Sequence, residues 1–182
     1  MQHSAIVITA SDGVAAGVRE DDSGSAIAAM LRDAGLEVRG REAVADDRTA
    51  IATLLATTCD EEGPSLVAVT GGTGFGPRDV TPEATRDVIE RQAPGLAEAM
   101  RAVGRRSTPM ADLSRAVCGI RGRTLIIDLP GSPRGATESL EAILDVLGHA
   151  LDLVSGETRH HPPGHGDERD EHGRAPEDNP PM

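Results

Sequence analysis

The chain has 182 residues and a formal net charge of -12, with arginine as its only strong base because lysine does not occur. That balance argues against a nucleic acid or an anionic membrane as partner, since such phosphates are met with excess positive charge. With no Trp, no Tyr and one Phe, the core must come from Leu, Ile, Val, Ala and Met, and base stacking is confined to Phe75.

Ala5 to Ala10 is a short β-branched run bounded by Ser11-Asp12-Gly13, and reads as a buried strand followed by a polar loop to about Asp22. Ile27, Met30, Leu31 and Ala34 recur at helical spacing, and Gly35 ends that helix. Leu36 to Val44 reads as a second strand, and Ile51, Leu54, Leu55 and Thr58 as a second helix with Asp46-Asp47 at its start. Ser65 to Val69 supplies a third strand.

The run Val69-Thr70-Gly71-Gly72-Thr73-Gly74-Phe75-Gly76-Pro77-Arg78-Asp79-Val80-Thr81-Pro82 then passes from strand through a glycine loop into a helix. Thr81 is the expected N-cap and Pro82 the first helical residue. Glycines let backbone N–H groups approach a ligand that side chains would block, so such a loop suits anions. A Walker loop is excluded for want of lysine, and the dinucleotide fingerprint fails because Pro77 stands where its third glycine belongs. An Arg–Asp pair remains, offering a guanidinium to phosphate and a carboxylate to a divalent ion. The same residues also read as a tight turn with a surface salt bridge.

Pro94 to about Arg106 reads as a helix and Met110 to Ala116 as a short helical connection. Leu125 to Leu129 is a further strand, and after Pro130-Gly131-Ser132-Pro133 a helix carries Ala136, Leu140, Ile143, Leu144, Leu147 and Leu151 on one stripe. Strands alternating with helices predict an α/β fold: a three-layer α/β/α arrangement with a mostly parallel central sheet and ligands beyond the carboxyl ends of the strands. The loops at Ser11-Asp12, Asp46, 71–79 and 130–133 therefore converge on one edge. Residues 1–156 form the expected domain, and 157–182, rich in Pro, Gly, His and charge without apolar periodicity, a disordered tail. Cys59 and Cys118 read as structural thiols, and the lack of a membrane-length apolar run or a signal-like start points to the cytoplasm.

The glycine run with Arg78 to Thr85, then Pro94-Gly95, Leu113-Ser114-Arg115, Gly119-Ile120-Arg121-Gly122 and Leu129-Pro130-Gly131, resembles the molybdopterin adenylyltransferase family of molybdenum-cofactor biosynthesis and the related domain of gephyrin. The resemblance covers about residues 4 to 155. It implies transfer of AMP from ATP to the terminal phosphate of molybdopterin with release of pyrophosphate, Mg²⁺ as cofactor, a homotrimer, and a molybdenum-inserting enzyme as a possible partner. It also leaves open a non-catalytic module that only binds or carries the pterin.

By the same resemblance Asp46 and Asp79 are the catalytic, Mg²⁺-holding carboxylates, although Asp46 also reads as a helix cap and Asp47 is one residue away. Ser11, Asp12, Asp21, Gly71, Gly72, Thr73 and Gly74 match the nucleotide pocket; Arg78, Ser114, Pro130, Gly131 and Ser132 match the pterin-phosphate side. Arg115 and Arg134 are further candidate donors to phosphate, or surface residues. One departure stands out: Asp128 occupies a position where the family commonly has Asn, and its charge would oppose pterin binding if it faced the ligand.

Overall fold

The computed structural model describes residues 2–156, so the expected tail at 157–182 lies outside the described residues. The chain runs β1 (Ser4–Ala10), α1 (Asp12–Ala15), α2 (Asp22–Asp33), β2 (Glu37–Val44), α3 (Arg48–Thr57), β3 (Leu66–Thr70), α4 (Thr81–Val88), β4 (Arg91–Gln92), α5 (Pro94–Ser107), β5 (Cys118–Arg121), β6 (Thr124–Leu129) and α6 (Pro133–Ser155). A π-helical turn, Thr58–Glu62, extends α3, and a 3-10 turn, Pro109–Leu113, follows α5 where the sequence predicts a helical connection.

The strands form one sheet in the order β2-β1-β3-β6-β5-β4. The first four are parallel, with Val7 opposite both Arg41 and Ala68, and Val69 opposite Asp128. The last two are antiparallel, β5 pairing β6 through Cys118 and Ile127, and β4 pairing β5 through Arg91 and Ile120. This is the expected α/β sheet with an antiparallel edge. Neither β4 nor β5 is expected from the sequence; at two and four residues they are too short to show a period.

Alternation along the central strands divides the core between the two faces, because successive side chains of a strand point opposite ways. Ala5, Val7, Leu66, Ala68, Leu125, Ile127 and Leu129 pack with Ile27, Leu31, Met100 and Leu140 of α2, α5 and α6. Ile6, Ile8, Val67, Val69 and Ile126 pack with Ile51, Leu55, Ala84 and Val88 of α3 and α4. Each wholly buried Leu or Ile contributes about 1.5–3 kcal/mol relative to exposure, so both faces are strongly held. From β1 the chain crosses to β2 on one side and later returns to β3 on the other. That reversal leaves a crevice beyond the carboxyl ends of β1 and β3, where open α/β sheets bind their ligands.

Candidate active site

Two cavities open at this edge. One, of about 310 Å³, is polar and is lined among others by Ser11, Arg19, Glu20, Asp22, Asp46, Gly71 and Asp79. The other, of about 430 Å³, is mostly apolar and is walled by Ala97, Met100 and Gly104 of α5, Met110 and Leu113 of the 3-10 turn, and the start of α6. Gly72, Asp79, Gly131 and Ser132 line both, and so form a thin partition between them.

Close backbone packing builds that partition. Gly71 has φ +104°, and a Cβ there would lie 2.2 Å from the Ala10 carbonyl oxygen; Gly72 has φ +61°, and its Cβ would meet the Thr81 hydroxyl at 2.5 Å. Both conformations are strained for any residue with a side chain. Gly131 lies against Gly71 in turn, its added Cβ being 3.2 Å from the Gly71 Cα. Ser132 caps α6, its hydroxyl accepting from the Gly135 amide at 3.2 Å. The partition therefore carries the positive end of a 23-residue helix, which favours an anion there.

Asp46 is not the helix cap. Asp47 takes that role, in extended backbone (φ -128°, ψ 124°) with its carboxylate accepting from the Ala50 amide at 2.8 Å. Asp46 is thereby free for a second arrangement: its Oδ2 accepts from the Asp12 amide and its own amide donates to Asp12 Oδ1, both at 3.0 Å. This reciprocal pair ties the loop after β1 to the loop after β2. Asp79 Oδ2 accepts from the Gly76 amide at 2.7 Å. Each of the two aspartates keeps one carboxylate oxygen with no hydrogen-bond partner among the described residues.

Among the other expected residues, Ser11 and Gly71 line the polar cavity alone and Thr73, Gly74, Ser114 and Pro130 the apolar one alone, whereas Gly72, Gly131 and Ser132 line both. Asp12 and Arg78 line neither; Arg78 donates to Asp12 Oδ2 at 2.5 Å and closes a bridge between two loops. Asp21 caps α2, accepting from the Gly24 amide and the Thr9 hydroxyl at 2.9 Å each, and its neighbours Glu20 and Asp22 face the cavity instead. Thr81 does not cap α4. Val80 precedes the helix without a side-chain cap, and the buried Thr81 hydroxyl has no hydrogen-bond partner among the described residues. Arg134 pairs with Glu138 one helical turn on and is 80 % exposed.

The Arg115 guanidinium is spent within the protein, donating to the carbonyls of Gly74 and Asp79 and to Glu83. Burial works to raise the Glu83 carboxyl, but the hydrogen bond from Arg115, a backbone hydrogen bond and the charges of Arg115 and Arg86 outweigh it and hold the group below its ordinary value. Arg19 in the polar cavity and Arg101 in the apolar one are cations that sequence reasoning missed. Neither sits in a motif, and only the folded chain brings them to the site.

Asp128 adjoins the floor of the apolar cavity but is wholly buried. Its Oδ1 accepts from the Thr85 hydroxyl at 2.7 Å and its Oδ2 from the Val117 amide at 3.1 Å, so both carboxylate oxygens are engaged within the protein. Burial pushes its carboxyl up to about 7, against the opposing pull of those two hydrogen bonds.

Residues 6–149 match the protein family described as "Probable molybdopterin binding domain". The chain is 43% identical over 152 residues to the molybdopterin adenylyltransferase of Helicobacter pylori strain J99, covering 82% of this chain and 86% of that one. It is 40% identical over 147 residues to the molybdopterin adenylyltransferase of Haemophilus influenzae, covering 80% and 75%. Among solved structures, the molybdopterin biosynthesis enzyme MoaB from Thermus thermophilus superposes with a TM-score of 0.79 at 51% identity, over 86% of this chain and 98% of that one.

Proposed function

The chain belongs to the molybdopterin-binding domain family, and from that premise we propose that it is a molybdopterin adenylyltransferase, moving AMP from ATP to the terminal phosphate of molybdopterin. The observation that carries this reading is the shared partition: an apolar cavity suited to a fused heterocycle and a polar cavity suited to a nucleotide meet at Gly72, Asp79, Gly131 and Ser132. Two substrates whose phosphates must touch need this layout, because positioning and charge neutralisation supply most of the catalysis in phosphoryl-type transfer.

A phosphate monoester has its second pKa near 6, so at neutral pH its oxygen is already an anionic nucleophile and needs no general base. That oxygen attacks the α-phosphorus of ATP; the new P–O bond forms as the bond from the α-phosphorus to the bridging oxygen breaks, and pyrophosphate leaves with the electron pair. The α6 N-terminus and the loop amides stabilise the crowded anions. In the polar cavity, Glu20, Asp22, Asp46 and Asp79 outnumber Arg19, a balance that repels a bare triphosphate. Among the described residues no cluster of three or more His, Cys, Asp or Glu could hold a metal by itself. Two carboxylates do fit Mg²⁺, which keeps several waters and binds through one or two carboxylates plus substrate phosphates. Asp46 and Asp79 would hold the ion, which would neutralise charge on the leaving group. The nucleotide-side and pterin-side residues named from the sequence keep those roles in this proposal, with Asp12, Asp21 and Arg78 acting as supports.

Incubation with molybdopterin, ATP and Mg²⁺ should yield adenylylated pterin and pyrophosphate in equal amounts. Pterin binding by folded protein without pyrophosphate release would overturn the enzymatic reading in favour of a carrier. Family resemblance also motivates a homotrimer, which sedimentation equilibrium checks, and hand-over of product to a molybdenum-inserting enzyme, which a coupled assay checks. The division at residue 156 predicts that a 1–156 fragment keeps full activity. Among the described residues no helix is long and apolar enough to cross a membrane. A cytoplasmic location belongs to the same proposal, with cell fractionation as its check.

A further inference from the structure

We propose that Arg115 is the positioning residue that sets Asp79 in the partition, by clamping the loop between Gly74 and Asp79 at both of its ends. The inference rests on the adenylyl-transfer reading for its kinetic consequence, but the clamp itself stands on geometry. The Arg115 backbone amide donates to the Thr73 carbonyl at 2.8 Å, its Nε donates to the Gly74 carbonyl at 2.6 Å, and its Nη2 donates to the Asp79 carbonyl. Its Nη1 reaches Glu83 in the first turn of α4, a carboxylate also approached by Arg86 at 3.8 Å. One planar fork thus fixes carbonyls five residues apart and the helix that follows them.

The span between those carbonyls needs holding. Phe75, Gly76, Pro77 and Arg78 are exposed, with Phe75 68 % accessible. Apart from the bond of Asp79 to the Gly76 amide and the surface pair of Arg78 with Asp12, nothing else among the described residues secures the tip by side-chain hydrogen bonding. An ammonium could not replace the fork, because a lysine is a single point of charge on a flexible stem, whereas the guanidinium presents several donors in one rigid plane. Arg115 also sits between Ser114 and Ala116, both in the wall of the apolar cavity. The clamp therefore joins the wall of one cavity to the carboxylate shared by both.

The test compares wild type with Arg115→Ala and Arg115→Lys in two independent readouts. Arg115→Ala should lower kcat about 10²-fold, the size of effect that a misplacement of about 1 Å produces, while pterin affinity by equilibrium binding stays within about threefold of wild type, well below that effect. Millimolar guanidinium should restore part of the lost turnover. Trypsin should cut the Arg78–Asp79 bond faster in the variant than in wild type, with no ATP, pterin or metal present. Should Arg115→Ala fail to fold, Arg115→Lys carries the test, with lowered kcat and the same faster cleavage. Wild-type turnover in Arg115→Lys, a raised KM with unchanged kcat in either variant, or unchanged cleavage at Arg78 would overturn the proposal. Absence of pyrophosphate release from wild type sinks the adenylyl-transfer reading instead, and the protease comparison then judges the clamp alone.

Discussion

Replacing Asp128 by Asn should change how stability depends on pH, and the structure sets both sign and size. The native carboxyl is raised from 3.8 to about 7 by burial, while in the unfolded chain it titrates near its ordinary value. Between those pH values the native state therefore holds a proton that the unfolded state has lost. Stability from this group is full below about pH 4, declines by up to about 1.4 kcal/mol per pH unit as pH rises, and levels off above about pH 7. Integrated over the window, the decline amounts to about 4 kcal/mol.

Asparagine cannot ionise, and it can satisfy the same partners: its carbonyl oxygen accepts from the Val117 amide and its NH₂ donates to the Thr85 hydroxyl, where Asp128 now bonds both. Asp128→Asn should therefore gain on wild type by about 4 kcal/mol between pH 4 and pH 8. Urea unfolding at a series of pH values, followed by far-UV circular dichroism because the chain lacks Trp and Tyr, gives the difference directly. Taking the difference between variants cancels the other carboxylates, which titrate alike in both. A stability difference that stays constant across this range would refute the reasoning, and would mean that the buried site tolerates the charged form.

Asp79→Asn and Asp46→Asn should each lower adenylyl transfer by about 10²-fold or more while pterin binding persists; full pyrophosphate release from either variant would remove that residue from the mechanism. Gly71→Ala places a methyl group 2.2 Å from the Ala10 carbonyl oxygen at φ +104°, and should destabilise by roughly 1–3 kcal/mol or more; an unshifted urea midpoint would contradict the close packing of these two loops. Cys59 and Cys118 are buried free thiols. Burial raises them to about 11 and about 12, in Cys118 with a further push from Asp128. Neither should react with a disulfide reagent at pH 8 until denaturant is added, and rapid labelling of native protein would show that one of them opens readily.

What could be read from the sequence, and what could not, follows from how local each determinant is. β1, β3 and β6 were legible because Ile6-Val7-Ile8, Leu66-Val67-Ala68-Val69 and Leu125-Ile126-Ile127 are buried on both faces and need no alternation to be seen. Asp46 and Asp79 were legible as cavity residues because each follows a strand that ends at the same edge. The choice of cap was only partly legible: Asp46 and Asp47 are chemically alike, and backbone direction decides which side chain turns back onto the helix. The same ambiguity, one residue out, concealed Glu20 and Asp22 behind Asp21. The destination of Arg115 was not legible at all, since its acceptors are main-chain oxygens, which carry no sequence signal.

At the partition the main chains of Ala10 and Gly71 touch so closely that no side chain fits at Gly71, and Gly131 packs tightly against them. Any redesign of this scaffold toward a different heterocycle or nucleotide has to work from the periphery, at the accessible Met110 and Leu113 of the 3-10 turn and at Phe75. The middle is fixed by sterics, and versatility is confined to the margin.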